Sequence, residues 1–379
     1  MSNDWAFEAD GHFAEQFPLS PLDDHLIHQT PDPIRVAHTT DPRFFERHWN
    51  VFHDQQGDLL IATGGSFYPN LDTAEAFAIV TYRGVQRSVR AFRRIGANRG
   101  NIHVGPIQPT IVSGMREWNH VLAPNDHGIA YDLTWQDTHR QMYRSAYGSL
   151  ESGKPAGGQR HVTAGFESFG RVGGWVEIEG RRIKLDMTEG RGTRDRHWGI
   201  GRGVGGPRLQ ADGEAPRAGW IGGVWIAFST FAIWGPIVLY PFGDSRARHG
   251  KVRKVERRLR FEEETRIFLE GEIDFTLDTG EVKRVHFERI GNQTAYMTCG
   301  LYGGSPDKTI WQGDYVGDDV VQGDCHDLAD PANRLALRGL DEHHCRISCD
   351  GEVTTGILQP LEPHAYEACL SGEKGWALL

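Results

Sequence analysis

The chain has 379 residues, 39% of them hydrophobic, and a formal charge of −10. That length suits two domains, and the negative charge speaks against nucleic acid as a partner. No apolar run approaches the roughly 18 residues that a membrane span needs, so no span is expected.

The N-terminal stretch Met1–Gln16 carries Asp4, Glu8, Asp10 and Glu15 in place of a basic-then-apolar leader pattern, which predicts a cytoplasmic protein. The five cysteines all lie between Cys299 and Cys369, and an odd count without a leader argues for reduced thiols. His25 and His28, with His48 and His53 further on, match no zinc spacing, so no metal is expected. Asp41-Pro42 followed by Arg43–Trp49 has the look of a short capped helix. Strands are expected at Asp58–Thr63, Phe77–Tyr82 and Val85–Phe92. In Gly128–Gln136 the residues Ile129, Tyr131, Leu133 and Trp135 alternate with Ala130, Asp132, Thr134 and Gln136, the period of a half-buried strand. Trp175–Ile183 is another candidate, and Glu189-Gly190-Arg191-Gly192 then interrupts the strand rhythm. A division at that point gives domains of 1–190 and 191–379.

Beyond it, Trp220–Pro241 is broken by glycines, a serine and Pro236, and reads as two buried strands joined by a turn. Lys251–Arg260 is rich in arginine but is followed at once by Glu262, Glu263 and Glu264, which suits a solvated strand face. Glu272–Asp278 alternates, turns at Thr279-Gly280 and returns through Val285 and Phe287 as a hairpin. Asp330–Leu340 is a second short helix candidate, and His343-His344-Cys345 reads as a polar strand edge. Helical pattern is too scarce to cover a large sheet. The fold class expected is therefore all-β, with two antiparallel barrels or curved sheets packed together, one per half.

The densest knot of reactive residues is Arg191-Gly192-Thr193-Arg194-Asp195-Arg196-His197-Trp198-Gly199. It places a carboxylate between arginines and an imidazole beside an indole. The glycines that follow include a formal match to a dinucleotide fingerprint at Gly201, Gly203 and Gly206. A loop rather than a helix comes next, so a flexible lip over a cavity mouth is the better reading. Glu167, flanked by Phe166 and Phe169, becomes a proton donor if it points into an apolar cavity, where burial raises its pKa.

These residues carry a family resemblance. Leu22-Asp23-Asp24-His25, His28-Gln29-Thr30-Pro31, Tyr68-Pro69-Asn70, Phe166-Glu167, Gly170-Arg171 and above all Arg194-Asp195-Arg196-His197-Trp198-Gly199 resemble the AttH and carotenoid hydratase superfamily. The later Trp311–Gly317 is similar to the C-terminal domain of a bacterial branch of that group. The resemblance implies two lipocalin-like (calycin) barrels and lipophilic substrates; no cofactor is expected. Characterised relatives include hydratases of isoprenoid double bonds and fungal enzymes that fold polyenes by pericyclisation. Here Arg196-His197 stands where His-Ser is usual, which moves the imidazole by one place and so to the other side of a strand.

Hydrating or dehydrating an unactivated alkene takes a carboxylic acid kept protonated by burial and aromatic faces that stabilise positive charge. The candidates are Asp195 or Glu167 as acid and His197 as relay or water-activating base. Trp198, Trp175 and Trp220 are candidate walls, with Tyr68 and Arg194 completing the substrate-binding set. Three functions fit: a hydro-lyase or double-bond isomerase on a terpenoid- or steroid-like substrate, a non-catalytic carrier of lipophiles, and a pericyclase-like enzyme driven by shape. A homodimer is compatible with all three.

Overall fold

A computed structural model describes residues 20–145, 163–201, 203–209, 223–235, 237–246, 250–302, 305–360 and 376–378. Alternating and aromatic segments become strands almost throughout. In the first half these are β1 (Phe44–His53), β2 (Leu59–Tyr68), β3 (Thr73–Tyr82), β4 (Val85–Arg94), β5 (Ile107–Ser113), β6 (Glu117–Leu122), β7 (Ile129–Asp137), β8 (Met142–Ser145), β9 (Thr163–Ile178), β10 (Arg181–Leu185) and β11 (Arg191–Ile200). The second half contributes β12 (Gly223–Ala227), β13 (Ala232–Trp234), β14 (Ile237–Leu239), β15 (Gly250–Phe261), β16 (Phe268–Leu277), β17 (Val282–Tyr296), β18 (Val320–Asp327), the helix α1 (Pro331–Leu337), β19 (Asp341–Cys349), β20 (Glu352–Gln359) and β21 (Trp376–Leu378).

The first sheet runs β18-β4-β3-β2-β1-β11-β9-β7-β6-β5, with β8 and β10 on β9. It curls around an apolar core that includes Phe52, Ile61, Val89, Trp118, Trp135 and Val176, and its end strands do not pair. The second sheet runs β14-β13-β12-β20-β19-β17-β16-β15, and β14 pairs with β15 to close a barrel filled by residues such as Phe228, Phe268, Phe275, Phe287 and Ile347. Two curved antiparallel sheets packed together are what the composition and strand spacing predict. Among the described residues, no helix is long and apolar enough to cross a membrane.

The halves meet outer wall to outer wall. Because strand side chains alternate, Phe52 of β1 points into the first core while Trp49 and Val51 point out. There they pack with Phe77 and Ile79 of β3 against Ile267, Ala295, Tyr296 and Ile357 from the second half. Two strands tie the halves further. β11 inserts between β1 and β9, and β18 returns from the second half to pair with β4 from Val320 opposite Phe92 to Asp327 opposite Val85. The expected division at residue 190 thus falls just ahead of a strand interior to the first sheet.

Two local expectations are corrected. Residues Arg43–Trp49 form no helix; their aromatic and branched side chains build β1, which is hydrogen-bonded on both sides, by β2 and β11. Asp41, which resembles a helix cap in the sequence, instead accepts from the backbone N–H and the Nε of Arg43 at 2.8 and 3.0 Å. His343-His344-Cys345 is not a strand edge: β19 lies between β17 and β20, and all three residues are buried. The helix expected at Asp330–Leu340 is α1, and Asp330 caps it by accepting from the N–H of Ala332 at 2.8 Å.

Candidate active site

The site is built from neighbouring rungs of the first sheet. Alternation along β11 sends Asp195 and His197 to the outer wall, toward the second half, and Arg194 and Arg196 to the inner one. In register, Asp195 stands opposite Glu167 on β9 and Trp49 on β1, and His197 stands opposite Gly165 on β9 and Arg47 on β1. Three buried side chains, Glu167, Asp195 and His197, therefore converge, and one ligand-type atom from each lies within 4.8 Å of the others. His197 Nδ1 is 3.0 Å from Asp195 Oδ2, and its Nε2 is 3.6 Å from Glu167 Oε1. The sequence makes room for the ring: a Cβ on Gly165 would sit 2.1 Å from His197 Cδ2.

The surroundings are aromatic and cationic. Trp225, from β12 of the barrel, donates its Nε1–H to Glu167 Oε2 at 3.1 Å and packs against Trp49 at 4.9 Å between ring centroids. Phe169, Trp234 and Ile237 extend the apolar wall beyond Glu167. Arg47 Nη2 lies 4.0 Å from Asp195 Oδ2. Burial opposes the charge on Arg47. The neighbouring Tyr302, Asp195, Tyr68 and Glu167 favour it and outweigh the burial, so its pKa is raised and it stays cationic.

Other acids share this interface. Glu342 on β19 is pushed up to about 8, first by burial and then by the charges of Asp341 and Asp195, although Gln359 donates to it at 2.9 Å. Glu75 on β3 is also raised to about 8 by burial; it accepts from the Tyr68 hydroxyl at 2.5 Å and from the N–H of Gly313 at 3.3 Å. Glu75, Ser66, Arg47, His197 and Gly165 are successive register partners across five strands, so the polar groups form one transverse rung.

The predicted residues separate as follows. Glu167, Asp195 and His197 come together, while Tyr68 donates its hydroxyl to Glu75 at 2.5 Å on the same rung. Arg194 lies on the inner wall, fully buried, clasping Asp137 through Nε at 2.9 Å and Nη2 at 2.6 Å. Trp135 and Ser168 also donate to that carboxylate, at 2.7 and 2.6 Å, which makes it a structural knot of the first core. Trp198 alternates onto the same side as Arg194, away from His197. Trp175 lies on the far part of β9, under the Arg182 guanidinium at 4.0 Å. Trp220 lies outside the described residues. The aromatic walls are instead Trp49 and Trp225, which the sequence offers only as two tryptophans among 11. Arg47 went unnoticed because its segment reads as helical, and Glu75 because nothing local sets it apart.

Two carboxylates and an imidazole are a donor set that a divalent cation can use. Here His197 directs Nδ1 at Asp195, and Arg47 already brings a positive charge to the same carboxylate. The arrangement suits the sharing of a proton more than the holding of an ion. Neither of two cavities outlined by the described residues is lined by the three groups. One, of about 50 Å³, lies on the inner wall beside His48 and Trp118, and one of about 230 Å³ lies beside Tyr82 and Ile129.

The model of a family of unknown function, DUF8625, matches residues 19–234. No curated protein matches the chain. Solved structures that it is similar to include a putative AttH from Nitrosomonas europaea, at 12% identity over 90% of this chain and 98% of that one, with a TM-score of 0.47. Kievitone hydratase from Nectria haematococca is 11% identical over 90% and 96% of the two chains, with a TM-score of 0.43. CghA, solved with Sch210972, is 11% identical over 85% and 89%, with a TM-score of 0.41.

Proposed function

The chain belongs to the DUF8625 family, and we propose that it is an acid–base enzyme, a hydro-lyase or double-bond isomerase for a lipophilic terpenoid- or steroid-like molecule, working where its two halves meet. One observation carries the reading: an imidazole held between two buried carboxylates, against a wall of Trp49, Trp225 and Phe169.

The division of labour follows from the geometry. Asp195 accepts the Nδ1 proton of His197, which fixes the tautomer and leaves Nε2 as the basic nitrogen, facing Glu167. Glu167 in its acid form gives a proton to an alkene carbon, and His197 Nε2 takes one from the water that adds, or from the adjacent carbon when the bond migrates. Dehydration runs the same steps backwards. The cationic intermediate lies against indole faces, each good contact being worth about 2 kcal/mol in a dry site. Positioned acid–base groups supply about 10²–10⁴ in rate.

The test is a panel of terpenoid and steroid alkenes and tertiary alcohols incubated in ¹⁸O-water and read by mass spectrometry. The wild type should exchange or incorporate label into a substrate of the panel. Glu167→Gln and Asp195→Asn should lose at least a hundredfold in turnover while still binding it. A ligand that binds and is returned unlabelled and unrearranged would instead make the protein a carrier.

A further inference from the structure

The inner face of the first sheet ends in a hollow that the acid–base site leaves unused. On the β3–β4 hairpin Val80 stands opposite Arg87 and Tyr82 opposite Val85, and across the curl β7 and β9 present the pair Ile129 and Ile178. Val80 and Ile129 belong to the first core, and Tyr82 and Ile178 pack against it. Between these walls lies the cavity of about 230 Å³, with Arg83, Arg87 and Glu179 at its mouth.

Two ties hold the walls apart at a fixed distance. Arg87 on β4 pairs with Glu179, in the turn between β9 and β10, at 2.5 Å. His127, from the loop before β7, lies over Gly323 of β18, where a Cβ would come 2.4 Å from the ring. Both resist collapse, so the hollow is formed before any ligand arrives. Water is a poor filling for it. A held water needs about two to four polar partners, and Val80, Val85, Ile129 and Ile178 offer none from their side chains.

Volume and charge say what suits it. An apolar cavity of about 150 Å³ takes benzene, so one about half as large again holds about nine non-hydrogen atoms. At the mouth each guanidinium already has its own carboxylate, Arg87 that of Glu179 and Arg83 that of Asp58 at 2.8 Å. The lip therefore has no surplus charge to offset the desolvation of an ionic headgroup, yet its donors and acceptors can serve a hydroxyl. We propose that the hollow binds a small neutral alcohol, with its hydrocarbon part against Val80, Val85, Ile129 and Ile178 and its hydroxyl among the groups of the lip. The site lies on the inner face of the sheet, whereas Asp195 and His197 point from the outer one, so its fate does not decide the acid–base reading.

The full-length chain titrated calorimetrically with 1-hexanol, 1-octanol and 1-decanol, and with octanoate and octylammonium, tests it. Octanol should bind saturably, about fourfold more tightly for each methylene added to hexanol, and decanol should gain little more because its extra methylenes lie in solvent. Both ions should bind at least tenfold more weakly than octanol. Val85→Phe and Ile178→Phe, each at a half-buried position, should weaken octanol at least tenfold by filling the hollow. Octanol should also raise the urea midpoint of the wild type and of neither variant. The proposal fails if octanol gives no saturable heat, or if decanol gains as much over octanol as octanol does over hexanol. It fails equally if either ion matches octanol, or if both variants keep the wild-type affinity.

Discussion

A buried histidine keeps its direction only if its neighbours leave it no other. For His197 the Asp195 carboxylate at 3.0 Å fixes one nitrogen, and the missing side chain of Gly165 leaves the ring its place. Gly165→Ala should therefore act on both folding and chemistry. Its methyl would come 2.1 Å from His197 Cδ2 and 2.3 Å from the carbonyl oxygen of Arg196, and the second contact is backbone, which cannot swing aside. Overpacking of this kind costs about 1–3 kcal/mol, readable as a lowered urea midpoint at unchanged slope. Turnover should fall along with it, and a variant with wild-type stability and turnover would show that the ring is not held as described. Arg47 answers to a different argument. Taking the cationic partner away from a buried carboxylate costs about 3–5 kcal/mol, so Arg47→Met should destabilise far more than Arg47→Lys. Asp195 and His197 sit two apart in one motif, so alternation puts them on one face; which way Glu167 points is left open by the sequence, and the β9–β11 register brings it to them. Arg47 and Glu75 were not legible, since register across β3, β2, β1 and β11 joins them to His197 and no window of sequence contains it.

At the scale of elements, the alternating segments were the readable ones: Gly128–Gln136 becomes β7, and the Glu272–Phe287 hairpin lies within β16 and β17. Local pattern failed at Arg43–Trp49, where a helix start signal was overridden by pairing with strands on either side. It also gave little warning about β11. Glycine-rich sequence before Thr193 suggests a boundary, yet β11 is hydrogen-bonded along its length to β1 and β9, and it carries two of the three reactive groups. A fragment comprising residues 1–190 lacks this interior strand and also the covering strand β18, leaving long edges open to non-specific pairing. It should show no cooperative urea transition by circular dichroism and should aggregate, whereas co-expression with 191–379 should restore one. A fragment 1–190 that unfolds cooperatively by itself would mean that β11 is dispensable to the first sheet.

The whole molecule hides many titratable groups at and around the junction of its halves, and their displacements oppose one another. Burial holds His48 down at about 3 and His53 and His139 at about 4, and pushes His120, His343 and His344 well below the ordinary value. Burial also raises Glu75 and Glu342 to about 8 and Asp341 to about 7. A depressed imidazole contributes stability above the unfolded value of about 6.5 and loses it as pH falls toward the folded one. A raised carboxyl contributes below about 4.5 and loses it as pH climbs through the folded value. Between about pH 4.5 and 6.5 the histidines outnumber the carboxyls, so stability rises with pH; above that the raised carboxyls, joined toward pH 8.5 by the buried thiols, titrate in the opposite sense, and it falls. The urea midpoint should peak near neutrality, with lower values at pH 5 and at pH 8.5. The alkaline limb belongs to identifiable groups, and Glu342→Gln, which keeps the shape and the neutral form, should flatten it while leaving the acid limb in place. A midpoint at pH 8.5 equal to that at pH 7 would mean that Glu75, Asp341 and Glu342 ionise without cost, which their burial does not allow.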